Sequence, residues 1–231
     1  MDGHTAVVEI HDTDVLDRTR SLMAEQESPE AWAQAVQESV QKNEIWRGKS
    51  CINLLAPEAP TSATVRALLS SEIGTRAAEG HIGRVNRWFA GTQFIDEVEA
   101  LCVELLKLAF RCRYADHRLM GSMLGNMAVY HALTEPGDVI MSAAQPFGGH
   151  SSNRTDGPAG MRGLKIVDVP FNPEQLDVDL EAFEIVARHV RPKLVVMGMS
   201  MTLFPIPVKE MSAIVAEWDG RFIYDGAHQA G

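Results

Sequence analysis

Short apolar runs alternate with amphipathic helical patterns from residue 122 to residue 225, and this alternation constrains the fold more than any other feature. Val139-Ile140-Met141, Leu164 to Val169, Leu194 to Met197 and Arg221-Phe222-Ile223-Tyr224-Asp225 read as strands. Between them, Ser122 to Leu133 reads as a helix that stops before Glu135-Pro136-Gly137-Asp138. Asp179 caps a helix through Val190, with Leu180, Phe183, Ile185, Val186 and Val190 forming its apolar side. Val208 to Trp218 is helical in pattern. Strands without a polar face must be covered on both sides. The pattern therefore predicts an α/β fold in which helices sandwich a mainly parallel sheet.

Upstream, Val98, Leu101, Cys102, Leu105, Leu108 and Ala109 form one apolar helical stripe. Residues 1–50 are polar and read as an N-terminal helical arm. Ser28-Pro29-Glu30 gives a cap, a first-turn proline and an early acid. Trp32, Val36 and Val40 follow at helical spacing, and Gly48 is expected to close the segment. The arm would pack on a neighbour or on its own domain, and residues 51–231 would form the α/β portion. No internal repeat or low-complexity tract interrupts it.

A net charge of -10 argues against sequence-independent nucleic-acid binding, which needs a basic surface. No apolar run is long enough to span a bilayer, and the acidic N-terminus does not read as a signal peptide, so no membrane partner is expected. Three cysteines without CxxC spacing point to a reduced, cytoplasmic setting.

Parallel sheets bind ligands at the carboxyl ends of their strands. Phe147-Gly148-Gly149-His150 follows the first strand, Ser200 follows the third, and Asp225-Gly226-Ala227-His228 ends the fourth. Gly121-Ser122 opens a helix, where free backbone N–H groups and a hydroxyl suit an anion such as phosphate. Each feature alone has an ordinary reading. A Gly-Gly pair makes turns, a serine after a strand caps helices, and a lone histidine is more often structural than catalytic. Their shared position at strand ends is the stronger signal.

Their order also matches a known family. Leu54-Leu55-Ala56-Pro57-Glu58 with Thr61-Ser62, Ala78-Glu79-Gly80 with Gly83, Ala90-Gly91, and Phe94-Ile95-Asp96-Glu97-Val98-Glu99 come first. Gly121-Ser122, Asn126-Met127-Ala128-Val129-Tyr130, Ala132-Leu133, Glu135-Pro136-Gly137-Asp138, Gly148-Gly149-His150 and Asp225 with Ala227-His228 follow. Across about three quarters of the chain the sequence resembles serine hydroxymethyltransferase and its relatives, pyridoxal 5'-phosphate enzymes of the aspartate aminotransferase fold type. The resemblance covers only the N-terminal portion of their large domain.

The resemblance implies that Gly121 and Ser122 hold the cofactor phosphate and that His150 stacks on the ring. Asp225 would pair with the pyridinium nitrogen, and Ser200 and His228 would lie around the phenolic oxygen and substrate. Glu79 matches the family's catalytic glutamate, whose loop reaches a neighbouring subunit's site. A dimer or heterotetramer is implied. His150, His228 and Asp225 join Glu79 as expected catalytic groups. The substrate would be a small amino acid, with tetrahydrofolate carrying the carbon if the chain is a transferase.

Several positions depart from the family. Pro57 stands for a serine, Ala77 for a tyrosine, Trp88 and Phe89 for a tyrosine pair, and Met120 for a serine. Two residues are inserted around Val85 and Asn86, and one near Leu124. These changes fit a divergent relative, such as a 2-methylserine hydroxymethyltransferase or a threonine transaldolase acting without folate. Lys42, Lys49, Lys107, Lys165, Lys193 and Lys209 match no Schiff-base lysine. That lysine would come from a C-terminal-half polypeptide of a divided enzyme, or from the remainder of one longer chain. A third reading is a non-catalytic regulatory subunit of a complete homologue.

Overall fold

The computed structural model describes residues 12–26, 28–55 and 58–230; the expectations placed on Ala56, Pro57 and the extreme N-terminus lie outside them. The chain divides into two compact units, Met1–Ala56 and Pro57–Gly231.

The first unit holds α1 (Thr13–Glu25) and α2 (Pro29–Ile45). The Asp12 carboxylate accepts from the Val15 N–H, and the Ser28 hydroxyl accepts from the Ala31 N–H, satisfying otherwise free donors. Pro29 takes the first helical position of α2, where it has no N–H to lose. Gly48 does not close this segment. The chain runs on through it in a π-helical turn, Trp46–Ser50. Asn53 makes the stop instead: it accepts from Arg47 Nε at 2.8 Å and donates to the Arg47 carbonyl at 3.0 Å.

The second unit contains α3 (Ala63–Leu69), α4 (Gln93–Phe110), α5 (Ser122–Leu133), β1 (Val139–Ser142), α6 (Pro158–Met161), β2 (Lys165–Asp168) and β3 (Phe171–Asn172). After them come β4 (Asp177–Val178), α7 (Leu180–Val190), β5 (Leu194–Met197), α8 (Val208–Ala216) and β6 (Arg221–Tyr224). Four strands form a sheet in the order β2-β1-β5-β6. Every pairing in it is parallel, with Ile140 opposite both Ile166 and Leu194, and Met197 opposite Tyr224. The β3–β4 pair is a separate antiparallel hairpin. Two-residue strands are too short to show a period, so no sequence pattern announced it.

Alternate strand residues feed two cores, as the pleat requires. Met141, Val195 and Met197 pack with Phe183 and Ala187 of α7 and with Met211 and Val215 of α8. Ile140, Leu194 and Val196 pack on the other side with Tyr130 of α5 and Ala159 of α6. Helices cover both faces of the sheet, and burying each of these larger side chains contributes about 1.5–3 kcal/mol. The Asp179 carboxylate accepts from the Ala182 N–H to start α7.

The apolar stripe of α4 forms its helix but finds no cover among the described residues. Val98, Leu101, Leu105 and Leu108 are 54–77% exposed. An exposed apolar stripe of this size is suited to protein contact.

Candidate functional site

The carboxyl ends of β1, β5 and β6 converge on a small cleft lined by Ser122, His150, Gly198, Ser200, Asp225 and His228, among others. The parallel register carries Asp225 there. Its N–H donates to the Met197 carbonyl at 2.8 Å, one step past the Met197–Tyr224 pair. Gly198 leaves the room Asp225 needs, since a Cβ at 198 would stand 2.5 Å from the Asp225 Cβ. Both carboxylate oxygens are held. Oδ1 accepts from the Ala227 N–H at 3.2 Å, and Oδ2 from Asn126 Nδ2 at 3.0 Å.

The Gly-Gly turn brings His150 alongside. Gly148 has φ +88°, a backbone that favours glycine, and a Cβ at Gly149 would lie 2.0 Å from the Ala143 carbonyl oxygen. The turn is clamped to the loop after β5, because Gly149 bridges Met199 and the Ser200 N–H donates to the Gly148 carbonyl at 2.7 Å. His150 then caps a short 3₁₀ turn, its Nδ1 accepting from the Ser152 N–H at 3.2 Å. A backbone N–H can only donate, so Nδ1 is the unprotonated nitrogen and Nε2 carries the proton.

Ser200 Oγ and His228 Nε2 lie 3.3 Å apart. His228 Nδ1 is buried without a partner among the described residues. An unpaired buried nitrogen beside a cleft is a site that a ligand can satisfy. Gly121 caps α5 with no side-chain hydrogen bond, leaving the first N–H groups of the helix free near Ser122. Met120, where the resemblance expects a serine, is exposed and adds no hydroxyl.

Glu79 does not line this cleft. It lies on a hairpin in which Gly80 bridges Arg87 and the Trp88 N–H donates to the Glu79 carbonyl at 3.1 Å. The inserted Val85 and Asn86 fall in the turn of that hairpin, with Val85 almost fully exposed. Arg87 holds it down from beneath. Its side chain is 2% exposed, with Nε 2.8 Å from Asp96 Oδ1 and Nη2 2.5 Å from Glu99 Oε2. Nη1 donates to the Ala78 carbonyl. Glu99 and then Asp96 push the Arg87 guanidinium further above its ordinary value.

Sequence reasoning gave no role to the polar layer beneath the cleft. Asn126 donates to Ser152 Oγ at 2.9 Å as well as to Asp225. The Tyr130 hydroxyl donates to Asn153 Oδ1 at 2.5 Å. Burial, and then the charge of Asp225, push the Tyr130 phenol well above its usual range. Asn126 and Tyr130 are four residues apart on α5, so both point towards the sheet.

The cleft's donor set fits pyridoxal phosphate. The open start of α5 suits a phosphate, Asp225 suits a pyridinium nitrogen, and His150 offers a flat partner. No lysine is among the residues lining the cleft. Lys165 opens β2 and Lys193 precedes β5, at the opposite end of the sheet.

A family model described as serine hydroxymethyltransferase matches residues 28–231. Among curated proteins, the serine hydroxymethyltransferase of Archaeoglobus fulgidus is 38% identical over 183 residues, 79% of this chain and 41% of that protein. Its counterpart in Methanocaldococcus jannaschii is 38% identical over 82% of this chain and 44% of its own. That of Methanothermobacter thermautotrophicus is 35% identical over 88% and 48%. The chain thus spans less than half the length of these relatives. With a family match that starts at the cap of the second helix and runs through the last strand, the chain belongs to the serine hydroxymethyltransferase family.

Proposed function

We propose that this chain forms the cofactor-binding part of a pyridoxal phosphate-dependent hydroxymethyltransferase or aldolase. It would act at the α-carbon of a small amino acid of the serine, glycine or 2-methylserine type. The observation that carries this reading is the convergence of Ser122, His150, Ser200, Asp225 and His228 on one cleft at the strand ends. When bound, pyridoxal phosphate supplies an electron-withdrawing ring that stabilises negative charge at the substrate α-carbon.

The chain's own residues would hold and orient that group. Gly121 and Ser122 would receive the phosphate at the start of α5. Asp225 would keep a proton on the ring nitrogen, because a neighbouring carboxylate favours the cationic form. His150 would offer its ring as the flat partner. Ser200 and His228 would bond the phenolic oxygen and the substrate. Glu79 moves a proton at the substrate's hydroxymethyl oxygen in a neighbouring subunit's site, consistent with its place on a hairpin away from the cleft. Tetrahydrofolate carries the carbon unit in the transferase reading. A transaldolase would need none.

The lysine that anchors the cofactor lies outside these 231 residues in this reading. A C-terminal-half polypeptide, or the remainder of a longer chain, supplies it. The uncovered α4 stripe offers such protein, or a second subunit, a surface to pack on, within a dimer or heterotetramer. Residues 1–50 serve as the arm and residue 51 opens the large domain. The three free cysteines fit a reduced, cytoplasmic setting. No helix of the described residues is long and apolar enough to cross a membrane.

The test is to co-express the chain with the segment that follows it in the relatives and to supply pyridoxal phosphate and an amino acid. Serine or 2-methylserine formation that requires a folate donor, and that disappears in Asp225→Ala, is the expected result. Turnover without folate selects the transaldolase. Turnover unchanged in Asp225→Ala selects the regulatory subunit and overturns the proposal.

A further inference from the structure

We propose that Asn126 is a positioning residue that ties the Asp225 carboxylate to the His150 imidazole through Ser152. The inference rests on the cofactor reading above and extends it to residues that do not line the cleft. Asn126 is 6% exposed and Ser152 fully buried, so their polar atoms must find partners inside the protein.

The Asp225 carboxylate sets the direction of the first bonds. A carboxylate only accepts, so the Asn126 amide must turn its nitrogen, not its oxygen, to Asp225 Oδ2. That nitrogen has two hydrogens. One goes to Asp225 at 3.0 Å and the other to Ser152 Oγ at 2.9 Å. The Ser152 hydroxyl is thereby an acceptor from Asn126, and its own proton is free to go onward. His150 Nδ1 lies 2.9 Å away and Asn153 Oδ1 3.3 Å. The nearer acceptor is the histidine. The Ser152 N–H points at the same nitrogen from 3.2 Å, so the imidazole keeps its proton on Nε2.

One asparagine therefore sets two groups on which the ring would depend. It gives Asp225 a donor without adding charge, and it orients the hydroxyl that holds His150. Asn126 stands one turn after Ser122 on α5, so the element that offers the phosphate site also carries this link.

Asn126→Asp tests this with shape kept and donors exchanged for acceptors. The new carboxylate faces Asp225 and takes the Ser152 hydroxyl proton for itself, turning it from His150. Isotope-edited NMR of the histidine ring nitrogens in the intact chain reads the far end of the link, with His150→Gln as the assignment control. Wild type should show Nδ1 as a hydrogen-bond acceptor. Asn126→Asp and Ser152→Ala should both shift that nitrogen. Pyridoxamine phosphate, which needs no lysine, should bind about tenfold more weakly to Asn126→Ala, which removes the donor to Asp225 without adding charge, the scale of one hydrogen bond to a charged group. A His150 spectrum unmoved in either variant overturns the link. Pyridoxamine phosphate binding that leaves Asn126→Ala within twofold of wild type overturns its role towards the cofactor. A moved spectrum with no pyridoxamine phosphate bound by wild type refutes the cofactor reading while the link itself stands.

Discussion

Replacing Arg87 with methionine should loosen the hairpin that carries Glu79, and the structure sets the scale. Arg87 is 2% exposed and serves two carboxylates and a backbone carbonyl at once. Methionine fills much of the space but returns none of those bonds. Breaking a buried ion pair from one side costs about 3 to 5 kcal/mol, because the remaining charge stays desolvated. Asp96 and Glu99 are 14% and 19% exposed and keep some water, so the lower end applies, about 3 kcal/mol. The sign of the pH dependence follows. In the variant the two carboxylates face each other, which raises their folded-state pKa values above the unfolded ones. The folded form then binds more protons, and the deficit shrinks as pH falls towards the acid range. Urea denaturation at neutral and mildly acid pH measures both effects. Adding Glu99→Gln to the Arg87→Met background should recover part of the loss, since it removes one of the two charges that lose Arg87, the one whose remaining neighbour is His117 Nε2 at 3.9 Å. A loss below about 1 kcal/mol, or no recovery in the double variant, would show that the buried triad does not hold the hairpin.

Three further outcomes follow from other positions. Gly198→Ala forces a Cβ to within 2.5 Å of Asp225, so it should cost about 1–3 kcal/mol and weaken pyridoxamine phosphate binding, read by thermal melting and by titration. Unchanged binding would show that the carboxylate's place is not critical. Tyr130 has its phenol raised by burial, so the stability it contributes is complete below its ordinary value of 10.0 and is lost as pH climbs above that. Ultraviolet titration of wild type against Tyr130→Phe should show the Tyr130 phenol ionising only as the chain unfolds; a Tyr130 phenol that ionises while the chain stays folded would contradict its burial. Gly149→Ala puts a Cβ 2.0 Å from the Ala143 carbonyl oxygen and should displace the His150 turn, visible as a shifted His150 ring signal; a ring signal identical to wild type would show that the turn absorbs the clash.

The sheet and its covering helices were legible in the sequence because their cause is local. Leu194 to Met197 has no polar residue, and such a run has few alternatives to a strand buried on both faces. The Ser122–Leu133 helix was bounded by its own signals, a Gly-Ser start and a Glu-Pro-Gly-Asp stop. The carboxyl-end rule then directed attention to His150, Ser200 and Asp225, which the fold brings to one cleft.

What stayed hidden depends on contacts between distant segments. Asn126 and Asp225 are 99 positions apart and meet only after β6 has been laid beside β5. Ser152 is one hydroxyl in a polar loop, and nothing in its neighbourhood marks it as the partner of a helix residue. The Arg87 triad joins a hairpin to a helix across a spacing that matches no periodic pattern. Gly48 misled because a glycine after a helical run often ends it, whereas here the Arg47–Asn53 pair does so a turn later. The α4 stripe was readable as apolar, yet Val98, Leu101, Leu105 and Leu108 are exposed.

The most direct test of the central claim is the protonation state of the pyridine nitrogen in isotope-labelled pyridoxamine phosphate added to the intact chain at high pH. With Asp225 facing it, the nitrogen should stay protonated at a pH where the free compound has lost that proton, and Asp225→Ala should abolish the difference. A nitrogen that titrates as in free solution, or equally in both proteins, would contradict the claim.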